Sequence, residues 1–559
     1  MVSPAIHKRP NGNSRYSLQP IFWVAAPRMI NREIASNNTL QSTGLLFSLT
    51  ILFSLPLLLL IFVPPGLQDY PNHLARAFIL LNSDDPLINQ HYQVVWDPLP
   101  NLGWDIWAIG VGRVFSLDVT GRLFLLVGIA ITVSGCFALN RAIVGRWTAA
   151  PILMFPFLFN AGFTRGFLSF DLGIGLALWA IVWWTSLDEK AWRLRLAVAT
   201  LLCTMLYIVH LYAWSIYGLF VLGWSIEQMV RSGKGLDHLK QSCKALLRDG
   251  VQIAPTIVLA SIACFRLLGH TGGITAGFHE FEAPFSRLSD LDLLIDVGAP
   301  MRNDALIVTM TATIIAALLN RDLRIRPGLA VTIMLCVFAF FVLPGRLEGT
   351  QFVSWRAIYA GLLFLIASLE PTNKFARSRL HWTCVVTLLV TFVIVGLEAR
   401  SWIRSEQAHS DFSRLIDSIP NGSALFVAHS GIDEKDLRAR EIGLYHVASY
   451  AVIEKQDLVQ SLFTFTGQQP VQYRSPELQS APEHSVTFLP EIVRNFKKAG
   501  IDFDGYLAQF DYLILHGEND APEESVLPMR RIRLINRSGA FRLYQVVHEA
   551  PEQTAHARQ

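Results

Sequence analysis

The chain has 559 residues, 52% of them hydrophobic and only 16% charged, with a mean hydropathy of +0.37. A soluble chain carries about 25% charge, so this balance excludes an ordinary soluble globule and points to repeated passage through a bilayer. The net charge of +3 supplies no global field for nucleic acid.

The six cysteines (Cys136, Cys203, Cys243, Cys264, Cys336 and Cys384) include no CxxC pair, and five of them lie in apolar runs. They read as small apolar filler rather than a metal or redox centre.

In chain order, residues 1–43 form a basic polar lead with Lys8, Arg9, Arg15, Arg28 and Arg32. The first apolar run begins near Gly44, and no small-residue cleavage site follows it, so a cleavable signal peptide is not expected. Candidate spans are 44–64, 121–139, 148–163, 168–187, 194–210, 212–228, 251–268, 303–319, 328–344, 353–370 and 381–398. The segment 101–117 is apolar but holds Asp105 and Arg113.

Positive charge decides whether 101–117 crosses. With it lying in the membrane plane, the basic tail shares a cytoplasmic side with five loops. These carry Arg141 and Arg146; Lys190, Arg193 and Arg195; Arg231 to Arg248; Arg321, Arg324 and Arg326; and Lys374, Arg377 and Arg379. If it crossed, all of those loops would invert. The expectation is therefore a polytopic α-helical membrane protein of about eleven spans, with its N-terminus cytoplasmic and residues 399–559 on the far side.

The outer face then carries a first loop, 65–120, with in-plane helices, and an acidic second loop, 269–302. Glycines at 272, 273 and 277 followed by His279, Glu280 and Glu282 read first as a solvated acidic loop, with a mobile lid as the alternative. The tail reads as a small α/β domain. Phe412, Leu415, Ile416 and Ile419 mark a helical face, and buried strands are expected at 424–429, 510–516 and 541–547.

The first loop opens with Gln68-Asp69-Tyr70-Pro71-Asn72-His73. Pro71 suits the first turn of a helix and Asp69 suits its N-cap. Leu74, Phe78 and Leu81 form an apolar stripe, and Asp69, His73 and Arg76 share the neighbouring face. One reading is a cap and nothing more. The other is a polar cluster at the mouth of a span, where a carboxylate can work on the far side of the membrane.

One cytoplasmic-start helix, a long first outer loop with in-plane helices and an early acid, a multi-span bundle and an outer C-terminal domain resemble the GT-C superfamily of membrane glycosyltransferases. Asp69-Tyr70-Pro71-Asn72-His73 is similar to the Asp-x-Pro-x-His form of bacterial members. The resemblance implies that Asp69 acts as general base or metal ligand. It also implies a sugar donor on a polyprenyl phosphate carrier and a glycan, lipid or protein acceptor. The paired acids common in the superfamily are absent at Asp69. The one Asp-Asp pair of this loop, Asp84-Asp85, sits in a turn-like setting, so a divalent cation is left open.

Further candidates share the expected outer face. Arg165 lies in a glycine-flanked hairpin before Asp171, an ionisable residue inside a span. A stapling Arg165–Asp171 ion pair is the bland alternative. His210 ends a span among aromatics, either as an interfacial anchor or as a phosphate or acceptor contact. Arg356 begins a late helix, where the resemblance implies a contact to the carrier phosphate, with Arg346 as its neighbour; a snorkelling arginine is the alternative. His73 and Arg76 complete the expected substrate-binding set.

No Walker loop, GxSxG or HExxH is present. The rivals to a glycosyltransferase are a transporter or flippase of a lipid-linked intermediate and a non-catalytic membrane protein with a partner-binding outer domain. A bacterial inner membrane follows from the resemblance alone. A catalyst predicts Asp69 and the outer arginines gathered at one end of the bundle, whereas a transporter predicts a polar path through it.

Overall fold

Among the described residues, five helices are long and apolar enough to cross a membrane: α5 (Leu117–Val144), α7 (Leu168–Ser186), α8 (Trp192–Val209), the part Met301–Leu319 of α11 (Pro300–Leu319) and the part Trp382–Ile416 of α14 (Lys374–Ile416). Shorter apolar helices are α1 (Ile51–Phe62), α12 (Ala330–Val342) and α13 (Val353–Ser368), and α9 (Leu211–Arg231) and α10 (Ala254–His270) complete the bundle. Helices suit such runs because each peptide group finds its partner within the segment.

The computed structural model describes residues 51–97, 99–187, 191–231, 244, 246–270, 285–298, 300–347, 350–372, 374–432, 434–465, 468–481, 487–517, 527 and 532–547. The basic tail, the loop cations between 232 and 243, the glycine-flanked stretch with His279, Glu280 and Glu282, and Glu348 lie outside the described residues.

One expected span is corrected, and two further observations bear on its neighbours. Residues 148–163 are not a spanning α-helix. They hold a nine-residue 3₁₀ helix, Ala150–Leu158, buried throughout. Pro151 and Pro156 remove amide donors that an α-helix there would need. The segment 101–117 contains only the nine-residue helix α4 (Gly103–Val111). At ~1.5 Å per residue that is about 14 Å, half the thickness of a hydrocarbon core. The last expected span and the first helix of the tail form one continuous 43-residue helix, α14.

Side chains close the helix ends. Arg122 donates to the carbonyls of Leu60 and Ile61 at the end of α1 (2.9 and 3.2 Å), and buried Arg287 donates to those of Phe340 and Leu343 at the end of α12. These are the orphan carbonyls every helix leaves. At the opposite end of the bundle, β2 (Leu323–Ile325) pairs antiparallel with β5 (Leu369–Pro371). There Arg146, Arg324 and Arg326 all reach Glu370. Three cations read as topology signals therefore also hold this end of the bundle together.

The tail contains a five-stranded sheet in the order β10 (Ile532–Ser538), β11 (Phe541–Val546), β9 (Tyr512–His516), β6 (Ala424–His429), β7 (Leu458–Val459). β6 runs parallel to β7 and β9, and β11 antiparallel to β9 and β10.

The sheet does not stand apart from the first loop. In that loop, helices α2 (Tyr70–Leu81) and α3 (Pro86–His91) are followed by β1 (Tyr92–Val94), which pairs with β8 (Val471–Tyr473). Ala75, Ile79, Ile88 and Tyr92 share one buried cluster with Phe412, Ile416, Leu425, Val427, Leu462, Leu513 and Leu543. The loop and the tail thus fold around a common core.

Candidate functional site

Asp69 stands at the N-terminus of α2, but its side chain caps nothing. Its backbone is already helical (φ −93°, ψ −4°), and the His73 amide donates to the Asp69 carbonyl rather than to the carboxylate. Asp69 is buried, with a relative exposure of 8%, and its Oδ1 has no hydrogen-bond partner. A buried, unsatisfied carboxylate oxygen is costly, and a helix cap alone would not require it.

The hairpin between the 3₁₀ helix and α7 holds Asp69 in place. α6 (Ala161–Arg165) is capped by the Asn160 side chain, which accepts from the amides of Gly162 (2.8 Å) and Phe163 (3.2 Å). The Gln68 amide donates to Thr164 O (3.1 Å) and the Asp69 amide to Arg165 O (3.0 Å). Gly166 turns the chain at φ +78°, and a Cβ there would meet the amide nitrogens of Tyr70 and Asp69 at 3.2 and 3.3 Å. Only glycine meets both demands without strain.

Two buried arginines lie within electrostatic reach of this carboxylate. Arg165, 4% exposed, lies 4.0 Å over the Phe352 ring and 3.9 Å from Asp296, beyond hydrogen-bond reach. Its Nε and Nη1 have no hydrogen-bond partner. Burial and nearby Arg438 pull its pKa down to about 10, while Asp296, Asp69 and Glu434 act in the opposite sense. Arg356, 4% exposed, lies over the rings of Tyr212 (4.4 Å), Phe167 (4.8 Å) and Phe170 (5.2 Å), and its Nε is likewise unsatisfied. The charges acting on it include Tyr212, Asp171 and Asp69. Phe167 and Phe352 touch (6.2 Å between centroids), so an aromatic bridge links the two guanidinium sites. Arg165 faces Asp296 and not Asp171; Asp171 lies on the Arg356 side, so the alternative of a stapling Arg165–Asp171 pair is not formed.

The remaining expected residues divide. His73 turns Nδ1 toward Arg76 (3.2 Å), and burial together with that cation holds its pKa well below the usual histidine range. Arg76 is committed elsewhere: it donates to Asp105 of α4 (2.6 and 3.3 Å) and to Gln469, with both partners of the ion pair buried. His210 breaks the chain between α8 and α9. Its Nδ1 accepts from the Tyr212 amide (3.2 Å), and its ring packs on Phe170 (5.4 Å), within reach of the Arg356 charge. Arg346 lies half-buried in a hairpin of β3 (Arg346–Leu347) and β4 (Thr350–Gln351); among the described residues no ion pair joins it to Asp69.

Two contributors escape the sequence, one in the tail and one in the motif itself. His446, 2% exposed, turns Nε2 toward Asp69 Oδ1 at 3.5 Å. Asn72 of the motif donates to Ser461 O (3.0 Å) and accepts from the Phe463 amide (2.8 Å), clamping the tail to α2. Neither had a usable signal: His446 stands alone in an unpatterned segment, and an asparagine after proline reads as a helix start. Asp296 was visible only as one acid of a charged loop. Asp85, the other acid considered for this loop, caps α3 by accepting from the Leu87 and Ile88 amides (2.9 and 3.4 Å). Among the described residues no three His, Cys, Asp or Glu side chains group to hold a metal.

No protein-family model and no curated protein matches the chain. Among solved structures, it is similar to ArnT from Cupriavidus metallidurans bound to undecaprenyl phosphate, at 10% identity and a TM-score of 0.47, over 89% of this chain and 97% of that one. It is also similar to the arabinofuranosyltransferase AftD from Mycobacteria, at 15% identity and a TM-score of 0.45, over 90% of this chain and 41% of that one. Identities this low carry no residue correspondence.

Proposed function

We propose that this chain is a GT-C-type membrane glycosyltransferase that moves a sugar from a polyprenyl phosphate carrier to an acceptor hydroxyl on the extracytoplasmic side. One observation carries the reading. Buried donors without hydrogen-bond acceptors, Arg165 Nε and Nη1 and Arg356 Nε, lie within electrostatic reach of Asp69, whose buried Oδ1 lacks a hydrogen-bond donor. Unmet guanidinium donors call for anionic oxygens, and arginine forks suit phosphate. An unmet carboxylate oxygen beside them calls for a hydroxyl.

In this mechanism Asp69 takes the proton of the acceptor hydroxyl as that oxygen attacks the anomeric carbon. The bond from the anomeric carbon to the carrier phosphate breaks, and Arg165 and Arg356 stabilise the charge left on the phosphate. The aromatic faces of Phe352, Phe167 and Tyr212 hold both guanidiniums in a water-poor setting, where their attraction for an anion is stronger. A divalent cation, if the site takes one, would meet Asp69 and add charge stabilisation at the phosphate. The basic lead and loops support placing the Asp69 end of the bundle on the far side of a bacterial inner membrane.

Binding of undecaprenyl phosphate to the purified protein, followed by native mass spectrometry, tests the anion site. Arg356→Gln is expected to weaken binding by about tenfold or more, the loss of one charge-assisted contact. Asp69→Asn should bind as well as the wild type. Equal binding by Arg356→Gln, Arg165→Gln and wild type would remove the phosphate from this site.

A further inference from the structure

We infer that His446, carried by the C-terminal sheet region, is the positioning residue of Asp69, so that the tail completes the reactive site rather than merely covering it. The inference rests on the reading of Asp69 as the base. Asp69 Oδ1 has no hydrogen-bond donor, and the polar atom that faces it is His446 Nε2, 3.5 Å away. Hydrogen bonds of this kind are often long in the absence of substrate and tighten when it binds. An Nε2–H directed at Oδ1 fixes which oxygen stays anionic and where its second lone pair points, the service that one member of an acid–base pair gives the other.

The surrounding structure is built to hold this imidazole. Its ring meets Phe463 (4.9 Å) and Tyr445 (5.0 Å) in edge-to-face contacts. Phe463 is held by Asn72, three residues after Asp69 on the same helix, so one turn of α2 grips both the target oxygen and the ring that faces it. The Tyr445 carbonyl lies 3.2 Å from His429 Nε2, at the end of β6. The turn before His446 sits on the first loop through two glycines: a Cβ on Gly443 would lie 2.8 Å from Gly66 Cα, which real structures do not allow. That backbone contact draws the His446 turn down onto the segment that leads into Asp69.

During transfer the acceptor oxygen bonds to the anomeric carbon, the carrier phosphate leaves with the bonding electrons, and the hydroxyl proton goes to Asp69. His446 gives up no proton in this step; it holds the carboxylate. The glutamine side chain presents an N–H near the place of Nε2–H, so the two substitutions His446→Ala and His446→Gln separate holding from proton transfer.

The test uses a deletion strain carrying the full-length protein, with envelope glycans quantified by mass spectrometry per amount of protein in the membrane. His446→Ala is expected to lower the transferred glycan about tenfold or more, and His446→Gln to restore it to within about threefold of wild type. The double variant Asp69→Asn/His446→Ala should fall no lower than Asp69→Asn. Undecaprenyl phosphate binding should be unchanged in both His446 variants, because the arginine donors are untouched. Wild-type product from His446→Ala overturns the inference, and so does a His446→Gln as inactive as the alanine variant at normal membrane levels. If Asp69→Asn also leaves the glycans unaltered while deletion changes them, it is the reading of Asp69 that fails.

Discussion

At the scale of single residues, the motif that opens the first loop divides its labour. Asp69 and Asn72 turn toward the tail, where they meet His446 and the 461–463 segment. Arg76 instead serves α4, in a buried pair with Asp105. Helical spacing placed Asp69, His73 and Arg76 on one face, and that was legible. What such spacing cannot reveal is the partner from another element: Asp105, 29 positions away, claims Arg76.

The same limit hid His446. Arg165 and Arg356 were legible because a charge at the end of an apolar run stands out, whereas a lone histidine in a mixed segment does not. The Arg76–Asp105 pair yields a stability prediction. Asp105→Ala leaves a buried guanidinium without its carboxylate and should cost about 3–5 kcal/mol, read as a lower melting temperature of the purified protein. The double variant Arg76→Leu/Asp105→Leu should recover most of that loss.

At the scale of elements, apolar runs announced most helices, and strands formed at Ala424–His429, Tyr512–His516 and Phe541–Val546, close to the positions read from their β-branched and aromatic content. The 3₁₀ segment escaped because its composition is that of a span while its two prolines forbid the α-helix. β1, β8 and β10 escaped because the first two are three residues long and β10 is a mostly exposed edge strand.

The ends of β6 and β9 carry their own test. His429 and His516 pair in register, with Nδ1 facing Nδ1 at 2.9 Å, so one ring donates and the other accepts. Burial pushes the pKa of His429 down to about 4 and that of His516 well below its usual range. Between about pH 4 and the ordinary 6.5, the unfolded chain therefore binds a proton that the folded His429 refuses. Stability should be full above that window and fall as pH drops through it, by on the order of 3 kcal/mol for His429 alone. Thermal unfolding of the purified protein from pH 7.5 to 4.5 should show this slope, and His429→Asn should lessen it, with His516 and His73 contributing the remainder.

At the scale of the whole molecule, the sequence reads as two bodies, a membrane bundle and an outer domain, divided near residue 398. The structure joins them. α14 runs unbroken through that boundary, β1 of the first loop pairs with β8 of the tail, and one hydrophobic cluster draws on both. Such joining is set by contacts across several hundred residues, which local patterns do not encode.

The candidate site lies at this junction. α2 brings Asp69, the hairpin before α7 brings Arg165, the start of α13 brings Arg356, and the tail brings His446. Gathering these groups at one end of the bundle is what a catalyst working at a lipid headgroup plane requires. The most direct measurement is the envelope-glycan mass profile of a deletion strain carrying Asp69→Asn at wild-type membrane levels. The glycan lost on deletion should stay absent, with at least about a hundredfold less product than wild type, the lower range of general base catalysis. Full restoration of that glycan by Asp69→Asn would contradict it.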